Sequence, residues 1–192
     1  LRARGWGHQE CGEIDEGAVC FSTGLQIARE LGDRELEGAF VGALGVIEAE
    51  RKNYEAAIAL CEQTLIIGRE QGDTRREGQC RLNMAQFYIE LGRFDEAWDE
   101  SERVEPLLTG SPGAQALLGM IRGQVQCHRG HFDDAHTLAQ AAKAVFDRIS
   151  WKEFSVEASV VLGLIGSASG DREEAQRCLA QARTELAAGG FG

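Results

Sequence analysis

Apolar residues recur along most of the chain at intervals of three and four, the spacing of one face of an α-helix. Examples are Leu36, Phe40, Leu44 and Ile47 in one segment and Tyr54, Ala57, Ile58, Cys61 and Leu65 in the next. Connections between the periodic segments are short, and short connections place consecutive helices side by side and antiparallel. The pattern predicts helices over 14–31, 33–51, 54–71, 73–91, 94–108, 113–129, 132–149, 152–169 and 172–188.

Glycine and short polar residues mark the predicted helix boundaries. Glycine is favoured at the left-handed position after a helix, and aspartate or asparagine at the position before the next one. The predicted C-terminal glycines are Gly32, Gly72, Gly92, Gly130 and Gly170. The predicted N-caps are Asp33, Asn53, Asp73 and Asp171, with Glu174 forming a capping box with Asp171 and His131 in the corresponding place after Gly130.

A period close to 40 residues groups the helices into pairs. The segment Gly-Asp-Arg-Glu-Leu-Glu-Gly at 32–38 recurs as Gly-Asp-Thr-Arg-Arg-Glu-Gly at 72–78. The second helices open with an aromatic residue and an alanine three positions later, at Tyr54 and Ala57, Phe94 and Ala97, Phe132 and Ala135, and in degenerate form at Arg172 and Ala175. The sequence predicts one array, with a partial repeat at 1–31, repeats at 32–71, 72–109, 110–149 and 150–188, and a flexible tail at 189–192.

The glycine content of 24 in 192 residues needs an explanation in an all-helical chain. Small residues stand inside the first helices, twelve positions before the alanine of the second helix, at Gly45, Ala85, Gly123 and Gly163. A missing or small side chain lets two helix backbones approach closely, and tertiary packing offsets the unfavourable effect of glycine on the helix. We predict that these residues contact Ala57, Ala97, Ala135 and Ala175, respectively.

These features together resemble the tetratricopeptide repeat (TPR). The turns that carry the resemblance are Lys-Asn-Tyr-Glu-Ala-Ala at 52–57, Gly-Arg-Phe-Asp-Glu-Ala at 92–97 and Gly-His-Phe-Asp-Asp-Ala at 130–135. The Gly-Asp-linked repeat is similar to those of bacterial transcription activators and signalling proteins and of spindle-orientation adaptors. The resemblance implies an all-α, right-handed superhelical solenoid of antiparallel helix pairs that binds a protein or peptide partner.

In proteins of this family the first helices of the pairs line a concave groove. The resemblance maps the groove onto Gln79, Leu82, Gln86, Ile89, Glu90, Leu117, Met120, Gln124, Cys127, His128 and Leu164. The apolar members, flanked by glutamines, suit an amphipathic helix or another apolar surface. The alternative is that some of them pack inside the superhelix, as apolar residues on a helix commonly do. Of the asparagine ladder that spindle-orientation adaptors use, only Asn83 is present.

Charge excludes two classes of partner. Lys and Arg total 20 against 31 Asp and Glu, and the resulting net charge of −11 repels nucleic acid and anionic lipid. We expect neither a nucleic-acid nor a membrane partner, and no apolar run approaches the about 18 residues that span a bilayer. The arginines around Gly72 alternate with acidic residues, and we expect them on a solvated face: Arg69, Arg75, Arg76 and Arg81.

No motif for nucleotide, hydrolase or dinucleotide chemistry is present, so we expect no enzyme activity, no catalytic residue and no cofactor. Thiol, imidazole and carboxylate groups cluster near Gly130, at Cys127, His128, His131, Asp133 and His136. Their spacing fits no structural zinc pattern, so we predict no metal site. The six cysteines include no C-x-x-C pair. We expect them to be reduced and small buried residues of a cytoplasmic protein.

The sequence thus predicts a non-catalytic protein–protein interaction scaffold, which serves as a regulatory or sensor segment of a larger bacterial signalling or transcription protein. The alternative is a module that senses a small molecule or signal peptide in the apolar groove. Residues 1–12 align with the second half of a first helix, with Gly5 matching Gly45 and Gly12 near a turn. We therefore expect an excerpt of a longer chain, or self-association through the truncated end helices.

Overall fold

The computed structural model describes the backbone of residues 11–189 and the side chains of residues 14–187. Over this range the chain forms nine α-helices, one short 3-10 helix and no strand. In chain order these are α1 (Cys11–Leu31), α2 (Arg34–Glu50), α3 (Tyr54–Glu70), α4 (Thr74–Glu90), α5 (Phe94–Val104), the 3-10 helix (Glu105–Leu107), α6 (Pro112–His128), α7 (Phe132–Arg148), α8 (Lys152–Ser169) and α9 (Arg172–Gly189). The predicted all-α fold of successive helix pairs is confirmed.

Two predicted helix boundaries differ from the observed ones by three or four residues. Helix α1 begins at Cys11, so Gly12 lies in its first turn, while Gly5 lies outside the described residues. Helix α5 ends at Val104 and continues only as a 3-10 turn, because Pro106 has no N–H to donate in an α-helical ladder. All other predicted boundaries lie within one residue of the observed ones.

Left-handed residues separate the helices. All five predicted C-terminal glycines have a positive φ, between 68° and 86°, and Gly110 (φ 80°) is a sixth that the sequence analysis missed. Two residues with side chains adopt the same conformation, Lys52 (φ 61°) and Ser150 (φ 60°). Turns of one geometry therefore recur along the chain, with or without glycine.

Aspartate caps the helices at three of the four predicted positions. The Asp33, Asp73 and Asp171 carboxylates accept hydrogen bonds from the backbone N–H three residues later, at 3.0, 2.9 and 3.0 Å. Asn53 occupies the N-cap of α3 but makes no side-chain cap bond, and its Nδ2 donates to Glu48 Oε2 at 2.8 Å. His131, at the N-cap of α7, likewise makes no side-chain cap bond.

The helices fall into two compact units, with the division between Leu107 and Leu108. In the first unit, each helix from α1 to α5 packs against its neighbour in sequence. In the second unit, α6 to α9 do the same, and α6 also contacts α8. Consecutive antiparallel neighbours are thus the structural unit, as short connections require.

Small residues bring paired helices close together. A Cβ added to Gly45 would lie 3.7 Å from the Ala57 carbonyl oxygen, and one added to Gly123 would lie 3.1 Å from that of Ala135. At Gly163 the nearest atom is Leu179 Cγ at 2.8 Å, with the Ala175 carbonyl oxygen at 3.5 Å. The remaining pair is Ala85 and Ala97, both fully buried. The aromatic residues that open the second helices are partly buried: Tyr54, Phe94 and Phe132.

An apolar core joins α6, α7, α8 and α9 in the second unit. Its largest fully buried side chain is Phe146, whose ring lies 5.6 Å from that of Phe154 and 6.3 Å from that of Trp151. Trp151 in turn covers Gly113, where an added Cβ would lie 2.6 Å from the indole ring. The aromatic cluster therefore connects the start of α6 with the turn between α7 and α8.

Candidate functional site

Polar side chains form a hydrogen-bonded row along the outward face of α4. Gln79 Nε2 donates to Asn83 Oδ1 at 2.9 Å, and Gln86 Nε2 donates to Glu90 Oε1 at 3.3 Å. Gln79 and Glu90 are exposed, whereas Asn83 and Gln86 are half-buried. We call these four residues the α4 ridge. Each bond joins residues one helical turn apart on the solvent-facing side of α4.

The C-terminal end of the α4 ridge is negatively charged. The Tyr54 hydroxyl donates to Glu90 Oε2 at 3.4 Å, which links the start of α3 to the end of α4. Partial burial, together with the carboxylates of Glu90 and Glu50, raises the pKa of Tyr54 above its ordinary value. The sequence analysis predicted Tyr54 only as a packing residue, because this contact joins residues far apart in the chain.

Two of the predicted groove residues lie in the core. Met120 is 1% exposed and Leu82 is 4% exposed, so neither side chain offers surface to a partner. Met120 packs in the core of the second unit with Ala116 and Phe146. This placement agrees with the alternative that the sequence left open, packing inside the array. Ile89, Leu117 and Cys127 are half-buried.

The remaining predicted groove residues reach the surface. Leu164 on α8 is 59% exposed, His128 at the end of α6 is exposed, and Gln124 is half-buried. All three belong to the second unit, in which α6 and α8 are in contact. In the second unit, these three residues are the predicted groove residues that a partner is able to contact. Partner binding through them stays a prediction.

A buried ion pair connects α4 to α5. Arg81 donates to Glu100 Oε2 at 2.6 Å and to Glu77 Oε1 at 3.0 and 3.1 Å. Arg81 is 7% exposed and Glu100 is 5% exposed, so the expectation of a solvated face is wrong for Arg81. The neighbouring Arg69 pairs with Glu77 at 2.9 Å. Burial alone would raise the pKa of Glu77, but hydrogen bonds from Arg69 and Arg81 hold it below its ordinary value.

A second polar cluster joins α7, α8 and α9. Lys143 Nζ lies 2.7 Å from Ser155 Oγ, 3.3 Å from the Asp147 carboxylate and 3.4 Å from Glu185 Oε1. A serine beside a lysine is a pattern found in nucleophilic catalysis. Here Ser155 is 5% exposed and donates to Asp147, so the cluster serves packing between helices.

His131 and His136, which lie near Gly130, contact different residues. His131 Nδ1 lies 3.2 Å from Gln126 Oε1, and His136 Nε2 lies 3.5 Å from Glu174 Oε1. Among the described residues, no three metal-ligating side chains are placed to hold one metal ion. Glu174 also contacts Arg177 and Cys178.

The described part of the surface includes two open depressions. One of about 490 Å³ is lined by Gly130, His131, Phe132, Asp133, Asp134 and Ser169, and one of about 330 Å³ by Asp99, Glu102 and Arg103. Neither is lined by a predicted groove residue. Of the helices that the structure describes, none is both long and apolar enough to cross a bilayer.

Comparison with known proteins identifies the fold. No protein-family model matches the sequence, and no curated protein matches it. The structure is similar to that of BtubC (BKLC) from P. vanneervenii, with a TM-score of 0.72 and 20% sequence identity over 94% of this chain and 76% of that one.

It is also similar to two structures, one of them of a point variant, of a putative kinesin light chain from Podosopora anserina with nearly identical TPR-like repeats. Their TM-scores are 0.62 and 0.60, with 18% identity over 94% of this chain and 90% of each of those. At such identities the similarity shows the fold alone, and that fold is a TPR-like repeat of helix pairs, the one that the sequence resemblance predicted.

Proposed function

We propose that the chain is a non-catalytic scaffold that binds a partner protein through the outward faces of its first helices. In the first unit the binding surface is the α4 ridge, and in the second it is the face that carries Gln124, His128 and Leu164. The observation that carries the proposal is the pair of amide hydrogen bonds along α4. Side-chain amides on an accessible helix face offer both donors and acceptors to a partner.

The chemistry of the α4 ridge suits the backbone of a partner. The Gln79–Asn83 and Gln86–Glu90 bonds join exposed or half-buried groups, so they exchange readily with solvent. A partner backbone replaces them at small net cost, since each amide retains a donor and an acceptor. The ridge therefore selects for shape and hydrogen-bonding pattern.

The wider setting of this scaffold is part of the same proposal. We infer that it is a cytoplasmic regulatory or sensor segment of a larger bacterial signalling or transcription protein. Support comes from the Gly-Asp-linked repeat and from cysteines that are free thiols at Cys20, Cys61, Cys80, Cys127 and Cys178. The buried position of the Arg81–Glu100 pair fits a scaffold without catalysis.

The experiment places a photo-crosslinking amino acid at position 79 or 86, and at position 63 as the control, in the native host. Gln63 is an exposed glutamine on α3, a second helix, and so matches Gln79 in type and exposure. We expect one protein to be captured from positions 79 and 86 and not from position 63. Capture from position 63 alone, or equally from all three, would contradict the proposal.

Purified partner then gives the energetic test. Combined Gln79→Ala and Gln86→Ala substitutions should weaken binding about tenfold, the effect of losing roughly 1.4 kcal/mol at the contact. Gln63→Ala should leave the affinity unchanged. If a small molecule or signal peptide, and no protein, binds the chain, the alternative function holds.

A further inference from the structure

A positive charge stands one helical turn before the α4 ridge. Arg75 lies four residues before Gln79 on α4, so it shares the outward face of the helix, and its side chain is exposed. The other arginines around Gly72 each lie within 3.4 Å of a carboxylate, namely Arg69, Arg76 and Arg81. Among the described residues, no acidic group forms an ion pair with Arg75.

A negative charge ends the α4 ridge. Glu90 is the last residue of α4 and is exposed. Its carboxylate accepts hydrogen bonds from two uncharged groups, the Gln86 amide at 3.3 Å and the Tyr54 hydroxyl at 3.4 Å. The last turn of α4 contains no basic residue, and within the described range no cation pairs with Glu90. The outward face of α4 therefore carries opposite charges at its two ends, and neither is neutralised by an ion pair.

Both charges oppose the dipole of α4. A helix carries partial positive charge at its N-terminus and partial negative charge at its C-terminus, so a cation in the first turn and an anion in the last are unfavourable. Helix α3 shows the favourable arrangement, with Glu55 in its first turn and Arg69 in its last. Helix α4 also has Glu77 in its first turn, but arginines bind that carboxylate. Helix stability therefore does not account for the two exposed charges.

We propose that Arg75 and the α4 ridge dock an extended segment of the partner that carries an acidic residue at one end and a basic residue at the other. This inference rests on the proposed scaffold function and adds the chemistry of the partner. The acidic residue pairs with Arg75 and the basic residue with Glu90. Complementary charges at both ends fix the direction in which the segment lies along α4.

The amides between the two charges favour an extended segment over a helix. An extended chain has free backbone donors and acceptors, which Gln79 and Gln86 are able to bind. A helical partner uses most of its backbone groups internally and offers the amides fewer bonds. The occupant is therefore a strand-like segment.

The length of α4 sets the spacing of the two partner charges. Arg75 and Glu90 are fifteen residues apart. At about 1.5 Å per residue, their Cα atoms lie roughly 22 Å apart along the helix axis. An extended chain covers about 3.3 Å per residue, so its charged residues stand about six to eight positions apart. A helical partner would need a spacing of about fifteen positions instead.

The experiment selects peptides from a random dodecapeptide library on the purified chain at about 50 mM salt, where exposed charges are weakly screened. We expect the recovered peptides to share an acidic and a basic residue about six to eight positions apart, in one order along the peptide. The variant that combines Arg75→Glu with Glu90→Lys keeps the net charge and should recover the opposite order.

A second charge swap is the matched control. Combining Glu62→Lys with Arg148→Glu also keeps the net charge, and both residues are exposed and lie on second helices, α3 and α7. Peptides recovered with this variant should keep the wild-type order. Circular dichroism of both variants checks that the helices persist.

Affinity measurements test one contact directly. With a synthetic peptide of the recovered sequence, Arg75→Gln should weaken binding about two- to fivefold at about 50 mM salt. The difference should disappear at about 0.5 M salt, because salt screens exposed ion pairs. An equal loss at both salt concentrations would contradict an ionic contact.

Recovered peptides without the charge pair would overturn the proposal. An order that does not invert with the swapped charges, a spacing of about fifteen positions, or failure to recover any peptide would do the same. Photo-crosslinking from positions 79 and 86 is a separate measurement. A partner captured there without such a segment would contradict this inference and leave the scaffold function intact, whereas capture from position 63 alone would contradict the scaffold function itself.

Discussion

At the scale of single residues, the left-handed turn positions show where sequence and conformation disagree. Six of these positions hold glycine, but Ser150 and Lys52 hold residues with a Cβ at φ 60° and 61°. The left-handed conformation brings a Cβ close to the following carbonyl oxygen, which costs roughly 1 to 2 kcal/mol. Packing of the flanking helices therefore holds both residues in an unfavourable conformation.

Replacing Ser150 by glycine should relieve this strain. We expect Ser150→Gly to raise the free energy of unfolding by about 1 kcal/mol, measured by urea denaturation. Ser111→Gly is the matched control, since Ser111 is an exposed serine at a helix start with φ −117° and no side-chain cap bond. An equal gain from both substitutions would show that left-handed strain is not the cause.

At the scale of helix pairs, the helical glycine that lies closest to the backbone of a neighbouring helix is Gly166. It is not one of the small packing residues that the sequence predicted. A Cβ on Gly166 of α8 would lie 3.0 Å from the Ala175 nitrogen and 3.1 Å from the Asp171 carbonyl oxygen. Both atoms belong to the backbone at the start of α9, the helix that pairs with α8. Backbone atoms cannot rotate away from the added Cβ as a side chain can. The sequence spacing of twelve residues before the alanine of the second helix predicted Gly163 as the contact. Its nearest neighbour is the side chain of Leu179, which is able to move.

Gly166→Ala should therefore destabilise the chain by about 1 to 3 kcal/mol, the usual effect of overpacking. Gly119→Ala is its matched control on α6, because an added Cβ there would have only ordinary contacts, at 3.7 and 3.9 Å. We expect Gly119→Ala to be neutral or to stabilise by up to about 1 kcal/mol through helix propensity. Thermal and urea denaturation compare the two, and similar effects at both sites would contradict the close contact.

The ion pair between Arg81 and Glu100 ties α4 to α5 and should behave as a coupled unit. Because both groups are buried, Glu100→Leu leaves the Arg81 guanidinium with Glu77 as its remaining carboxylate partner, and it should cost about 3 kcal/mol. Combining Arg81→Met with Glu100→Leu should recover part of that loss, since two apolar residues pack without desolvating a charge.

A double-mutant cycle by chemical denaturation measures this coupling. Single effects that simply add in the double variant would show that the 2.6 Å contact contributes no interaction energy.

At the scale of the whole molecule, local patterns predicted the helices better than the surface. Helix starts and stops follow from nearby signals, such as the Asp73 cap and the Gly72 turn, and these were predictable. The ion pair between Arg81 and Glu100 and the hydrogen bond between Tyr54 and Glu90 join different helices, so no local pattern encodes them. For the same reason the helical period alone could not distinguish Leu82, which is buried, from the exposed residues of the groove.

The overall charge makes a prediction for the whole molecule as well. The net charge is −11, and many arginines are already paired, as Arg34 is with Glu37 and Glu70, and Arg93 is with Glu96. Little positive potential is left for phosphate groups, so we expect no binding to duplex DNA or to phosphatidylserine vesicles even at about 50 mM salt, where such binding is strong.

Fluorescence anisotropy and vesicle sedimentation test this expectation. A Glu37→Gln and Glu70→Gln variant, which releases Arg29 and Arg34 while leaving the chain acidic, should also fail to bind, because the long-range field of the molecule outweighs two exposed guanidinium groups. Salt-sensitive binding by the wild-type chain would instead reveal a basic surface that overcomes the net charge. That result would contradict the prediction that the chain binds neither nucleic acid nor membranes.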